Sequence, residues 1–95
     1  MSEEIHPFTI NVNDHELTDL RNRLHNTRWP EQIPGTGWDY GCDLDWLKDL
    51  AAWWADEFDW HTQQDHLNEF DHLTTTIEDQ YIHFIHQRSP HDGAL

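Results

Sequence analysis

The stretch WPEQIPGTGWDYGCDLDWLKDLAAWWADEFDW, residues 29–60, holds all six tryptophans of a 95-residue chain. Its first third is turn-rich: Pro30, Pro34, Gly35, Gly37 and Gly41 suit neither a helix interior nor a central strand. The remainder has helical periodicity. At about 100° per residue, Leu44, Trp46, Leu47, Leu50, Ala51, Trp53, Trp54 and Phe58 fall within about half the circumference, and Asp45, Lys48, Asp49 and Asp56 fall on the other half. A surface helix of a small domain needs a stripe only ~100° wide. A face this broad asks for more partner surface than so short a chain supplies. Trp46, Trp53 and Trp54 are therefore the docking candidates, and Trp29 and Trp38 are candidates for anchoring the loop.

Asp43 is placed to cap this helix, which is expected to run to about Phe58. On its N-terminal side lies another helix. Asn13 is a good N-cap and Glu16, three residues on, completes a capping box. Leu17, Leu20 and Leu24 form one narrow apolar stripe. Arg21, Arg23, His25 and Arg28 gather at the C-terminal end, where positive charge suits the helix dipole. Pro30 stops the helix by Trp29. Before it, after a polar start at residues 1–4, PFTINV (residues 7–12) alternates and suits a short strand or extended arm, with Pro7 favouring an edge.

On the C-terminal side a third, shorter helix is expected over roughly residues 62–72. Thr62 and Asp65 form its capping pair, and Leu67, Phe70 and Leu73 its inner face, with Leu73 close to the connection that follows. TTTIED and YIHFIHQR then turn β-branched and aromatic, which predicts a hairpin turning at Asp79 and Gln80. Ile82 and Phe84 are its candidate sheet-packing residues. A two-stranded hairpin is marginal alone, so its edges ask for more sheet. The reading is one α+β domain over residues 1–95: an extended arm (1–12), a helical meander of about three helices (13–73), a β-hairpin (74–88) and a tail (89–95).

Nineteen acidic residues face five Lys and Arg, giving a net charge of −14. That excludes the basic footprint of a nucleic-acid binder and disfavours anionic membrane surfaces. The acidity suits a solvated surface, a salt-rich habitat or a patch for a basic partner. Aromatic content of 13% speaks for a folded chain with an aromatic core. There is neither a leader pattern nor a long apolar run, so a soluble, cytoplasmic protein is expected.

Candidate chemistry is sparse. Nine histidines invite a metal reading, and His61 with Asp65 could share a helix face. No H-E-x-x-H and no zinc-type Cys/His spacing is present, so neither metal nor cofactor is expected. Cys42 is the single cysteine; it lacks the flanks of a cysteine hydrolase and is expected to pack in the interior. There is no G-x-S-x-G or G-x-D-x-G elbow and no phosphate-binding glycine pattern. No catalytic residue is assigned. The tryptophans serve either as packing residues or as a stacking platform for π or cationic ligands.

The segments PFTINV, ELTDLRNRL, NTRWPEQIP, GWDYG, LDWLKDLAAWWADEFDW, QQDHLNEF and TTIEDQYIHFIHQRSP occur in this order over about residues 5–91. In this the chain resembles the N-terminal region of the microsomal-type epoxide hydrolases, a branch of the α/β-hydrolase superfamily that includes the juvenile-hormone enzymes. TRWP, GW-x-YG and IHFIH at these separations carry the resemblance. It implies a helical meander that wraps an α/β-hydrolase catalytic domain, in the same or a separate chain, and ends in the first antiparallel strands of that sheet.

The resemblance also implies a reaction for the whole enzyme. An Asp attacks the epoxide while tyrosines protonate the alkoxide, and a His–Asp/Glu pair then drives hydrolysis to a vicinal diol. Those groups lie beyond the segments matched here. Tyr40, Tyr81 and the histidines match structural positions or none. Asp79 stands where the family usually has a turn glycine, and no membrane-anchoring segment like that of the mammalian microsomal forms is present. The expected role is a non-catalytic brace for the catalytic core and lid. The alternatives are a stand-alone acidic interaction module docking through its tryptophan face, or one half of a split hydrolase. A homo-oligomer is left open.

Overall fold

Capping and turn chemistry set the element boundaries. The computed structural model describes residues 4–95, so the first three residues of the polar start lie outside it. Strand β1 is His6–Phe8, helix α1 Asp14–His25, helix α2 Leu44–Asp56, helix α3 Trp60–Leu67, strand β2 His72–Ile77 and strand β3 Gln80–Ile85. The expected α+β arrangement of three helices, an N-terminal extended segment and a C-terminal hairpin is what the chain adopts. It divides into two compact units: Val12–Asp59, and Trp60–Leu95 together with the segment up to Asn11.

In the helical unit, Asn13 is the N-cap of α1, and its side chain accepts from Glu16 N at 2.9 Å. Asp43 caps α2 in the same way, accepting from Trp46 N at 3.1 Å. Each cap satisfies an amide that has no intrahelical partner. Helix α2 stops at Asp56, two residues before Phe58. There the Glu57 and Phe58 amides both close on the Trp53 carbonyl, a terminal geometry that ends the regular ladder. Helices α1 and α2 pack against each other.

In the sheet unit the strand order is β1-β2-β3, all antiparallel. The strand expected at residues 7–12 is shorter and starts one residue earlier. It lies on an edge, as Pro7 requires. It also covers one side of the hairpin, so part of the sheet that the hairpin needs comes from this chain. Beyond β1, the backbone of Ile10 is held at both ends by Asn68, which accepts from Ile10 N at 3.0 Å and donates to Ile10 O at 2.8 Å.

Three local expectations are corrected. The third helix covers Trp60–Leu67 rather than 62–72. Asn68 leaves the helix because its amide is committed to Ile10, a side-chain bond that competes with helical continuation. Phe70 thus falls in a turn and is exposed, while Leu73 belongs to β2, which begins at His72 rather than at 74. The hairpin turn is Glu78 and Asp79, not Asp79 and Gln80; both have positive φ (48° and 65°) and Ile77 pairs with Gln80. Two left-handed residues match the right-handed strand twist, the reason such loops favour primed turns.

Neither unit encloses an aromatic core. Among the described residues the buried apolar side chains are Ala51 and Ala55, and the buried polar ones are Gln64, His72, Thr74 and Thr75. The expected aromatic interior is therefore replaced by aromatic rings at the surface. Cys42, expected inside, is exposed and unpaired. No helix among the described residues is long and apolar enough to cross a membrane.

Candidate functional site

The broad apolar face of α2 splits into two flanks. Ala51 and Ala55, one turn apart, are its buried residues. Nine residues separate Trp46 from Ala55, which places them on opposite sides of the helix at about 100° per residue. Trp46, Leu50 and Trp53 stand at i, i+4 and i+7 and form a stripe on the other flank, with Trp54 beside it. Their exposures are 49%, 40%, 51% and 45%. A burial pattern of small residues on one side and large rings on the other is the reverse of a finished core.

The loop before α2 extends this stripe. Trp38, 58% exposed, meets Trp46 edge-to-face with ring centroids 5.2 Å apart and planes at 61°. At the other end Phe58 tilts against Trp53 at 5.5 Å. Both arrangements match the offset and edge geometries that aromatic quadrupoles favour. The loop is held by Gln32, whose Oε1 accepts from Leu44 N at 2.9 Å and whose Nε2 donates to Gly37 O at 2.6 Å. Leu44 is the first residue of α2, so Gln32 satisfies another free amide of that helix end while fixing the loop that carries Trp38. The result is a preset row of four large apolar side chains from Trp38 to Trp53, flanked by Trp54 and Phe58.

Of the residues singled out from the sequence, Trp38, Trp46, Trp53 and Trp54 are exposed and Trp29 is half-buried, all in the helical unit. Ile82 and Phe84 lie in the sheet unit. They stand opposite Thr75 and Leu73, so they share one sheet face, with Ile82 exposed and Phe84 half-buried. Gln32, Asn68 and Arg21 were not singled out for their long-range bonds. Gln32 and Asn68 offered one signal, an amide side chain in a segment with unpaired backbone groups. Among the described residues no group of three or more His, Cys, Asp or Glu side chains is placed to hold a metal.

Residues 5–95 match the protein family described as Epoxide hydrolase N terminus. A protein of Stigmatella aurantiaca (strain DW4/3-1) is 41% identical over 91 residues, covering 96% of this chain and 21% of its own length. Epoxide hydrolase 1 of Oryctolagus cuniculus is 36% identical over 88 residues, 93% of this chain and 19% of its own. The solved structure of Aspergillus niger epoxide hydrolase superposes on all of this chain and 25% of its own, with a TM-score of 0.83 and 30% identity. The chain thus spans 19–21% of the length of these curated relatives.

Proposed function

The chain belongs to the epoxide hydrolase N-terminal family, and we propose that it acts as the non-catalytic N-terminal region of an epoxide-hydrolase-like α/β hydrolase. In that reading the whole enzyme converts an epoxide and water to a vicinal diol, and this region braces the catalytic core and its lid. The observation that carries the proposal is the exposed row of Trp38, Trp46, Leu50 and Trp53, with Trp54 beside it, on a well-capped helix. Four rings and a leucine held in place but left open to solvent are a surface made to be covered. Ile82 and Phe84 are proposed as the sheet-side docking residues, and Trp29 as a loop anchor. The free Cys42 thiol suits a reducing, cytoplasmic setting.

The same aromatic face favours one further reading, in which the catalytic domain is a separate chain and the pair assembles as a split enzyme. The test is common to both. The 95-residue chain is mixed with the α/β-hydrolase catalytic domain from its own source, and binding and styrene oxide hydrolysis are followed together. The expected result is no turnover by the chain alone, a stable complex with the catalytic domain, and weaker association for Trp46→Ser and Trp53→Ser. Turnover by the rigorously purified chain, or wild-type binding by both variants, overturns the proposal.

A further inference from the structure

His72 is the titratable side chain among the described residues that is buried, at 6% exposure. It opens β2, and both of its ring nitrogens are engaged. Nε2 lies 2.5 Å from the carbonyl oxygen of Leu67, the last residue of α3. Nδ1 lies 2.9 Å from Nε2 of His83 in β3. The two rings stack with centroids 5.1 Å apart and planes at 26°. The exposed His83 ring also meets Phe8 of β1 at 5.0 Å. Two imidazoles thus touch all three strands and the end of α3.

The connectivity fixes the hydrogens. A carbonyl oxygen only accepts, so Nε2 of His72 carries its hydrogen. Nδ1 of neutral His72 is then a bare acceptor, and His83 must donate from Nε2. The pair takes a first proton on His83 Nδ1 without losing a bond. A second proton has only His72 Nδ1 to occupy. There it faces the His83 Nε2–H head-on and sets two like charges on stacked rings. We infer that the His72–His83 pair is an acid-released latch: it clamps α3, β1 and β3 onto β2 while at least one ring is neutral, and lets go when both are protonated.

The titratable and charged groups around the pair come from both neighbouring strands, the end of α3 and the segments flanking β2 and β3. On β1, His6 sits across Thr74 from His83 on the same sheet face, with its Nε2 3.7 Å from the Glu4 carboxylate. On β3, Tyr81 shares that face. At the end of α3, His66 and Glu69 pair with each other at 3.7 Å. Asp71, just before β2, and His86 and Arg88, after β3, line with His72 an open cavity of about 430 Å³. Among the described residues no carboxylate forms an ion pair with either latch histidine. What the latch holds is the turn at residues 68–71, which carries Asn68 and its two bonds to Ile10. Release therefore loosens the seat of the N-terminal segment as well as the start of β2.

The experiment follows the histidine ring nitrogens by long-range proton–nitrogen NMR of the 95-residue chain as the pH is lowered, with amide exchange in parallel. At neutral pH both rings are expected as Nε2–H tautomers. On acidification the pair is expected to bind its first proton with both hydrogen bonds of His72 intact. Binding of the second proton then coincides with a roughly ten-fold rise in amide exchange at residues 72–75, the loss of about one net hydrogen bond. An Nδ1–H tautomer at neutral His72, or unchanged exchange when both rings are protonated, overturns the inference. His83→Gln keeps a donor for His72 Nδ1 but takes up no proton. In that variant His72 is protonated with no second cation beside it, so the acid-dependent rise in exchange at residues 72–75 is expected to be lost; a rise as large as in the wild type overturns the latch. If the variant does not fold, the wild-type tautomers and the exchange at the second protonation still decide the matter.

Discussion

Arg21 Nε donates a 3.1 Å hydrogen bond to the carbonyl oxygen of Ala55, across 34 residues of chain. Ala55 lies in the last turn of α2, which has no basic residue of its own. The last carbonyls of a helix lack intrahelical partners, and that end carries partial negative charge. Arg21 brings both a donor and a positive charge to it. One turn further along α1, His25 Nε2 sits 3.2 Å from Asp56 Oδ1. The cationic half of α1 thus complements a second helix end besides its own.

Arg21→Met keeps the aliphatic stem and removes the donor. It is expected to lower stability by about 1 kcal/mol. For a chain of this size that corresponds to a fall in Tm of about 4–8 °C, read by thermal circular dichroism. Arg21→Lys is expected to recover only part of it, because an ammonium lacks the planar guanidinium fork. An unchanged midpoint in Arg21→Met would mean that the Arg21–Ala55 bond adds nothing to the packing of α1 on α2.

Gln32→Ala leaves the Leu44 amide and the Gly37 carbonyl without their side-chain partner. A loss of about 1–2 kcal/mol is expected, since two bonds go and one end is partly buried. Trp38 should report it: its fluorescence, set by the contact with Trp46, is expected to shift toward that of a solvated indole. Gln32→Glu keeps the acceptor for Leu44 but turns a carboxylate on the Gly37 carbonyl, and should fall between the two.

The hairpin turn places Glu78 and Asp79 in left-handed backbone. Side chains with a Cβ are strained there, and Asn-Gly is the favoured pair for a two-residue loop with both φ positive. The double change Glu78→Asn and Asp79→Gly is therefore expected to stabilise the chain by about 1 kcal/mol. A higher urea midpoint at unchanged slope is the signature; a lower midpoint would show that the side chains of Glu78 and Asp79 matter more than their backbone.

Trp46→Ser should cost the isolated chain far less than a core tryptophan would. A buried ring cut to alanine typically costs about 3–5 kcal/mol. Trp46 is 49% exposed, and a loss of about 1 kcal/mol is expected, from the remaining burial and the edge contact with Trp38. Binding of an apolar dye should fall at the same time, since a large exposed ring is removed. A loss of core size would place the ring in the interior of this chain.

The elements that the sequence makes legible are those governed by neighbours within about one helical turn. Asn13 and Asp43 cap their helices as their positions require. Pro7 lies on an edge strand, and Thr75 and Ile82 face each other in an alternating hairpin. Where the reading missed, a distant partner intervened. The third helix ends early because Asn68 is engaged 58 residues away by Ile10. The hairpin turn is one residue earlier than read because the Thr74–His83 and Thr75–Ile82 register leaves Glu78 and Asp79 outside the ladder.

The sequence alone therefore determined the family, the helical and extended segments, their caps and the broad apolar face of α2. Each of these depends on residue order and local periodicity. Only the tertiary structure decided which flank of that face is buried: Ala51 and Ala55 are covered and Trp46, Leu50 and Trp53 are left to solvent. Tertiary contact likewise set the tasks of Arg21, Gln32, Asn68 and the His72–His83 pair. Hydrophobicity says that a side chain favours burial and chemistry says that a donor needs an acceptor. Which segments come close enough to supply either is a property of the folded chain.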